Sequence, residues 1–129
     1  MMMTPSVYFD KANQACASAK LLLDAGDLCG ACNRTYYAMF NAARAALLAS
    51  GVAVSDEIAK THSGLLSAFS LRLVKTGELP IELGRHLKHA GQMRILSDYR
   101  GGPLDDDEVR LQIERADAFV QAIRKKYAL

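Results

Sequence analysis

Apolar residues recur along this chain in steps of three and four, the period of an amphipathic helix, and no stretch reads convincingly as a strand. Phe9, Ala12, Cys16, Ala19 and Leu23 form the first stripe, which Ala25-Gly26-Asp27 ends, with Asp27 placed to cap the next helix. A second helix is predicted to run to about Ser50 before Gly51 breaks it, its core stripe being Tyr36, Phe40, Ala43 and Leu47. A third starts near Asp56 after a Ser55 cap and carries Leu66, Phe69 and Leu73 until Lys75-Thr76-Gly77 stops it. Pro80 suits the first turn of a fourth, which lasts to about Tyr99 and is ended by Gly101-Gly102-Pro103. The fifth opens on Asp105, Asp106, Asp107 and Glu108 and closes on Arg124, Lys125 and Lys126, so both ends complement the helix dipole. Val109, Ile113, Ala116, Val120, Ile123 and Tyr127 make its packing seam.

Short connections force neighbouring helices to run antiparallel, so the expected fold is all-α, a five-helix up-and-down bundle forming a single domain over residues 1–129. Its core should bring Tyr36, Phe40, Leu66, Phe69, Leu87, Ile113 and Val120 together. Gly64, Gly84 and Gly91 fall inside helices, where each costs roughly 1 kcal/mol relative to alanine, and close helix approach is the natural compensation.

With 129 residues, 50% of them apolar and 23% charged, the chain can bury one sizeable core. The formal charge of +2 permits a nucleic-acid partner without demanding one, although Arg85, Lys88, Arg94 and Arg100 gather basic charge on one segment. No apolar run approaches a membrane span, and the opening Met-Met-Met-Thr-Pro-Ser lacks the basic and apolar regions of a signal peptide, so a cytoplasmic protein is expected. Cys16, Cys29 and Cys32 sit among alanines and read as reduced core thiols. The Cys29/Cys32 spacing matches half a zinc site, but no second pair accompanies it; neither a metal nor a cofactor is expected.

Two polar groupings break the apolar pattern. On the fourth helix, Arg94 and then Asp98 continue the stripe of Leu83, Leu87 and Ala90. Charged groups on an inward face cost free energy unless they are paired or border a cleft. On the second helix, Arg34, Tyr37, Asn41 and Arg44 fall in one quadrant beside the core stripe. They form either a solvated flank or a surface for phosphate and base, since arginine presents a planar fork to phosphate oxygens and tyrosine can stack. His62 heads the apolar stripe of the third helix and reads as a hydrogen-bonded packing residue rather than a catalytic one. His86 and His89 read as surface residues.

Asn33-Arg34-Thr35-Tyr36-Tyr37-Ala38-Met39-Phe40, Lys60-Thr61-His62-Ser63-Gly64, Lys75-Thr76-Gly77-Glu78-Leu79-Pro80 and Arg94 with Asp98-Tyr99 together resemble the HEPN domain, and within it the small prokaryotic HEPN proteins of the UPF0332 group. The likeness covers roughly residues 8–127. It implies a helical bundle that pairs into homodimers, often encoded beside a minimal nucleotidyltransferase in a toxin and antitoxin pair. Many HEPN proteins are metal-independent ribonucleases whose centre is an arginine followed, after four to six residues, by histidine. Arg94 matches the arginine, but Tyr99, Arg100 and Gly101 stand where the histidine would be. Asn41 also stands where relatives often carry a histidine.

Cleaving RNA without a metal needs a base for the 2′-hydroxyl and an acid for the leaving oxygen, a task suited to a group with a pKa near 7. Tyrosine, with an ordinary pKa of about 10, is a poor base at neutral pH. Asp98, one turn from Arg94, reads as the group that orients its guanidinium. The favoured expectation is therefore a HEPN-like partner protein of a two-component system, binding a minimal nucleotidyltransferase, or nucleotide or RNA phosphate. The residues expected to carry it are Arg94, Asp98 and Tyr99 at the centre, with Arg34, Tyr37, Asn41, Arg44 and Arg100 holding phosphate. The alternative is an endoribonuclease toxin using Arg94 with a non-standard base. Tyr99, beside the Arg100-Gly101-Gly102-Pro103 turn, reads first as a helix-end tyrosine and second as an acceptor for a transferred nucleotide.

Overall fold

The computed structural model describes residues 4–51, 61–100 and 104–129. Among them are five α-helices and no strand: α1 (Pro5–Asp24), α2 (Leu28–Ala49), α3 (His62–Phe69), α4 (Ile81–Arg100) and α5 (Asp106–Tyr127). The all-α bundle expected from the periodicity is what forms. No helix among the described residues is long and apolar enough to cross a membrane.

Helix ends fall where local chemistry puts them. Thr4 caps α1, its Oγ1 accepting from the Val7 amide, and Pro5 fills the first position, where no amide is needed. The Asp27 carboxylate accepts from the Gly30 amide at 2.8 Å, as its place after the Ala-Gly turn predicts. Gly26, Gly51 and Gly77 each hold a positive φ, between 74° and 82°, just beyond a helix, where an L side chain would be strained. Asp105 caps α5 by accepting from the Asp107 amide. The Ser55 cap and Asp56 start expected for the third helix lie outside the described residues, as does the Gly101-Gly102-Pro103 turn.

α2 is the centre of the bundle. It packs against α1 along its length and touches α3, α4 and α5. Its inward positions are small where helices approach, with Ala31, Ala38, Ala42, Ala43, Ala45 and Ala46 all buried, and large where a layer must be filled, at Tyr36, Met39, Phe40 and Leu47. From the other helices Phe9, Phe69, Leu73, Leu83, Leu87, Phe119, Val120 and Ile123 complete this core. Phe69 stacks on Phe119 with ring centroids 5.6 Å apart.

Two parts of the expected core are corrected. Ile113 packs in a separate cluster with Ala19, Leu23, Ala31, Cys32 and Val109, beside the α1–α2 turn, instead of with Tyr36 and Phe69. Leu66 is only half-buried, and Leu65 takes the interior position. Both leucines lie within one turn of Phe69, and the helical wheel alone does not choose between them. The third helix also does not continue as a regular α-helix: Ser70–Val74 forms a π turn, closed by the Lys75 amide bonding to the Ser70 carbonyl at 2.8 Å.

Of the helix-interior glycines, Gly91 shows the close approach most clearly. A Cβ there would lie 3.2 Å from Cε1 of Tyr36, so α4 rests directly on the tyrosine ring.

Because Phe69 is fully buried and stacked, Phe69→Ala should cost roughly 3–5 kcal/mol in denaturant unfolding. An exposed change on the same bundle, such as Leu21→Ala, should stay within about 0.5 kcal/mol.

Candidate functional site

The inward charges of α4 converge on Tyr36. Leu83, Leu87 and Ala90 are buried as the stripe predicts, and one turn further the Arg94 guanidinium lies over the Tyr36 ring, 5.3 Å from its centroid. The Arg94 side chain is only 17% exposed and is paired along its own helix with Asp98, Nη1 to Oδ2 at 3.3 Å. Asp98 therefore orients the guanidinium, as its spacing predicts. The ring face and the carboxylate together compensate the desolvation of the charge. Arg94 Nε remains buried with no hydrogen-bond partner among the described residues.

The Tyr36 hydroxyl lies 2.7 Å from Nδ1 of His62, which opens α3 just after the Thr61 cap. Tyr36 is 1% exposed, and burial pushes its phenol up to about 12 despite the opposing effect of Arg94, so it keeps its proton. With no other acceptor for that proton among the described residues, the phenol donates to Nδ1. The imidazole proton is thereby assigned to Nε2. His62 is held below the usual histidine range, first by partial burial and then by the Arg94 charge, and so stays neutral near pH 7. Its ring edge is packed by Tyr37 and Phe40, with centroids 6.1 and 5.2 Å away.

The remaining expected residues divide into groups. Tyr37 borders this centre, its ring 5.6 Å from that of Tyr36 and the Arg34 guanidinium 5.5 Å from its own centroid. Asn41 lies one turn on, along a groove between α1 and α2. Arg44 is turned away from the cluster and stacks over Tyr8 at 4.7 Å and Phe40 at 5.3 Å. Tyr99 is 82% exposed and, five residues past Arg94, lies about 140° round the helix from it. The structure therefore brings together Arg94 and Asp98 and leaves Tyr99 outside their contact. The Arg100 side chain lies outside the described residues.

His62 is the hydrogen-bonded packing residue that its place at the head of the apolar stripe predicts. Its hydrogen bond was legible in kind, but its neighbour was not. Placing it near Arg94 requires α3 and α4 both to meet on Tyr36 of α2, contacts between distant segments that periodicity does not encode.

The three cysteines are free. Burial pushes the Cys16 thiol up to about 12 and the Cys32 thiol up to about 11, so both are inert packing groups at neutral pH. Cys29 donates weakly to the Ser97 carbonyl at 3.6 Å. No group of three or more metal-ligating side chains occurs among the described residues.

The cluster has a measurable signature. A histidine whose folded-state pKa is depressed contributes stability that is fully present above its unfolded value, near 6.5, and is lost as pH falls through the folded value. Replacing Arg94 by glutamine removes one of the two causes, so in an NMR titration the His62 pKa should rise toward 6.5. An unchanged value would place Arg94 too far away to act on the ring.

The chain is similar to known proteins over most of its length. The profile of the HEPN domain matches residues 6–126. A UPF0332 protein of Thermotoga maritima is 38% identical over 118 residues, which span 89% of this chain and 84% of that protein. A UPF0332 protein of Gloeobacter violaceus is 42% identical over 92 residues, 71% of this chain and 69% of its own length. A more distant relative, the Methanocaldococcus jannaschii protein named "Putative toxin MJ0605", is 29% identical over 114 residues, covering 88% of this chain and 81% of that protein. On the extent of these matches, the chain belongs to the HEPN domain family.

Proposed function

We propose that this protein is the HEPN-type component of a two-component system of the toxin–antitoxin kind, and that it binds nucleotide or RNA phosphate at the Arg94, Tyr36 and His62 centre. The observation that carries the binding reading is the Arg94 side chain itself, a cation on the inward stripe of α4 fixed by Asp98 and the Tyr36 ring. His62 adds a second donor, since the proton assigned to Nε2 points the ring toward accepting oxygens. The likeness to relatives bearing toxin names supports the system. In this reading the partner is a minimal nucleotidyltransferase, and the protein pairs as a homodimer. Ile95, Leu96 and Tyr99, all exposed near the end of α4, supply an apolar face for such pairing.

A ribonuclease reading draws on the same histidine. In that reaction the 2′-oxygen would attack phosphorus while the bond from phosphorus to the 5′-oxygen breaks, and His62 Nε2 would give its proton to the leaving oxygen. The proton of the attacking hydroxyl then needs a base, yet Nδ1 is occupied by Tyr36 and Asp98 is engaged by Arg94. The cluster is better built to hold a phosphate than to turn over an ester.

Calorimetric titration with a nucleoside triphosphate checks the binding reading. Saturable binding should weaken at least ten-fold in Arg94→Gln and fall in His62→Ala, with folding unchanged by circular dichroism. Equal binding by the wild type and Arg94→Gln would remove the reading. Incubation of the pure protein with RNA in EDTA separates the two activities: intact RNA is expected, and cleavage that disappears in His62→Ala would establish the nuclease instead. On co-expression with a neighbouring nucleotidyltransferase, exposed Tyr99 is the residue to inspect by mass spectrometry for an added nucleotide.

A further inference from the structure

A groove of about 380 Å³ lies between α3 with its π turn and α4. Buried Phe69 and Leu87 lie at its base, and Leu66, Val74 and Ile81 add to its apolar lining. Leu66, half-buried where full packing was expected, is thus an apolar side chain that borders a cavity. Ser67, Ser70 and Gly84 keep the remaining lining small. The charged residues on it are Arg85 and Lys88, both exposed, and no carboxylate lines it.

Two local departures from regular helix converge on this cavity. The π turn at Ser70–Val74 supplies two of its lining residues, and such turns are rare and concentrate at functional sites. Gly84 forgoes the helix-forming methyl that alanine would bring, yet a Cβ there would meet only Val74, at 3.4 and 3.8 Å, ordinary contact distances. Gly91 differs, because its Cβ would press on the Tyr36 ring. Helix packing therefore accounts for the glycine at 91 but not for the one at 84, where the missing side chain leaves the groove open. Breaks in local regularity that packing does not explain are expected at working surfaces.

We propose that this groove docks an amphipathic helix of a partner protein, with apolar anchors at i, i+4 and i+7 and carboxylates on the flank that meets Arg85 and Lys88. The α4 lining runs from Ile81 to Lys88, a rise of about 10 Å, which is the span of those three anchors. Both walls are helical and bond their backbone groups internally, so an extended strand would find no ladder there, whereas a helix brings its own satisfied backbone. Two cations and no carboxylate on the lining select an acidic flank over a basic one. A second copy of this chain fits poorly. Among the described residues, α1, α2 and α5 lack two exposed large hydrophobics within two turns of each other. The face of α4 that has them, at Ile95, Leu96 and Tyr99, carries a carboxylate already engaged by Arg94. No lining residue belongs to the Arg94, Tyr36 and His62 centre, so the groove is independent of the phosphate reading.

Fluorescence anisotropy with a labelled helical peptide, bearing leucines at i, i+4 and i+7 and glutamates along one flank, tests it. Saturable binding should disappear in Gly84→Leu, whose side chain fills the groove, and weaken about ten-fold in the double variant Arg85→Glu/Lys88→Glu. The same peptide with lysines for glutamates should bind the wild type weakly and the double variant well, a reversal that a folding defect cannot produce. Arg94→Gln should bind the glutamate peptide like the wild type. The melting temperature of Gly84→Ala should not fall below that of the wild type; a lower one would assign the glycine to helix packing and overturn the reading. Absence of binding, equal binding of the two peptides by the wild type, or binding unchanged in Gly84→Leu also overturns it. Self-association that Gly84→Leu abolishes would make a second copy the occupant, and displacement of the peptide by decanoate would make it a small amphiphile. Either result replaces the partner helix.

Discussion

Three helices meet on Tyr36 of α2, through its ring edge, its ring face and its hydroxyl. Its ring is buried from α2, α4 rests on one edge of it at Gly91, its hydroxyl holds His62 at the start of α3, and its face carries the Arg94 guanidinium. One side chain thus sets the relative positions of three helices and orients both a cation and an imidazole. Phenylalanine would keep much of the packing but release Nδ1 of His62, which could then take its proton on either nitrogen. The phenol is therefore a structural residue whose hydrogen bond selects chemistry, and its protonation at neutral pH is secured by burial.

Placing an arginine on the inward stripe of α4 is expensive in isolation, and the fold compensates it twice. A cation over a tyrosine face gains on the order of 0.5–2 kcal/mol, and the Asp98 carboxylate adds a charge-assisted hydrogen bond. Neither satisfies Nε. Partial burial and then the Arg94 charge lower the His62 pKa, so the ring stays neutral and does not repel the guanidinium.

Most of the bundle was legible because it rests on local rules. Stripes at steps of three and four, the caps at Asp27 and Asp105 and the glycine stops at Gly26, Gly51 and Gly77 each follow from a few adjacent residues. The interior polar pair Arg94 and Asp98 was also visible, since charges stand out against an apolar stripe. What periodicity does not carry is contact between distant segments. It could not choose Leu65 over Leu66, assign Ile113 to its own cluster, foresee the π turn at Ser70–Val74 or set His62 against Tyr36 and Arg94. The quadrant of Arg34, Tyr37, Asn41 and Arg44 was identified as a surface, but its division needed α1. Lys11, Gln14 and Ser18 complete a groove with the first three, while Tyr8 withdraws Arg44 from it.

The account turns on Arg94 and His62 acting as donors to one bound phosphate, and nitrogen NMR of their side chains tests this most directly. On addition of nucleotide, the Arg94 guanidinium Nη resonances should move, and His62 should shift with them as the neutral, Nε2-protonated form. If both sets of resonances stay fixed while nucleotide saturates the protein, the phosphate binds elsewhere and the assignment of this centre is wrong.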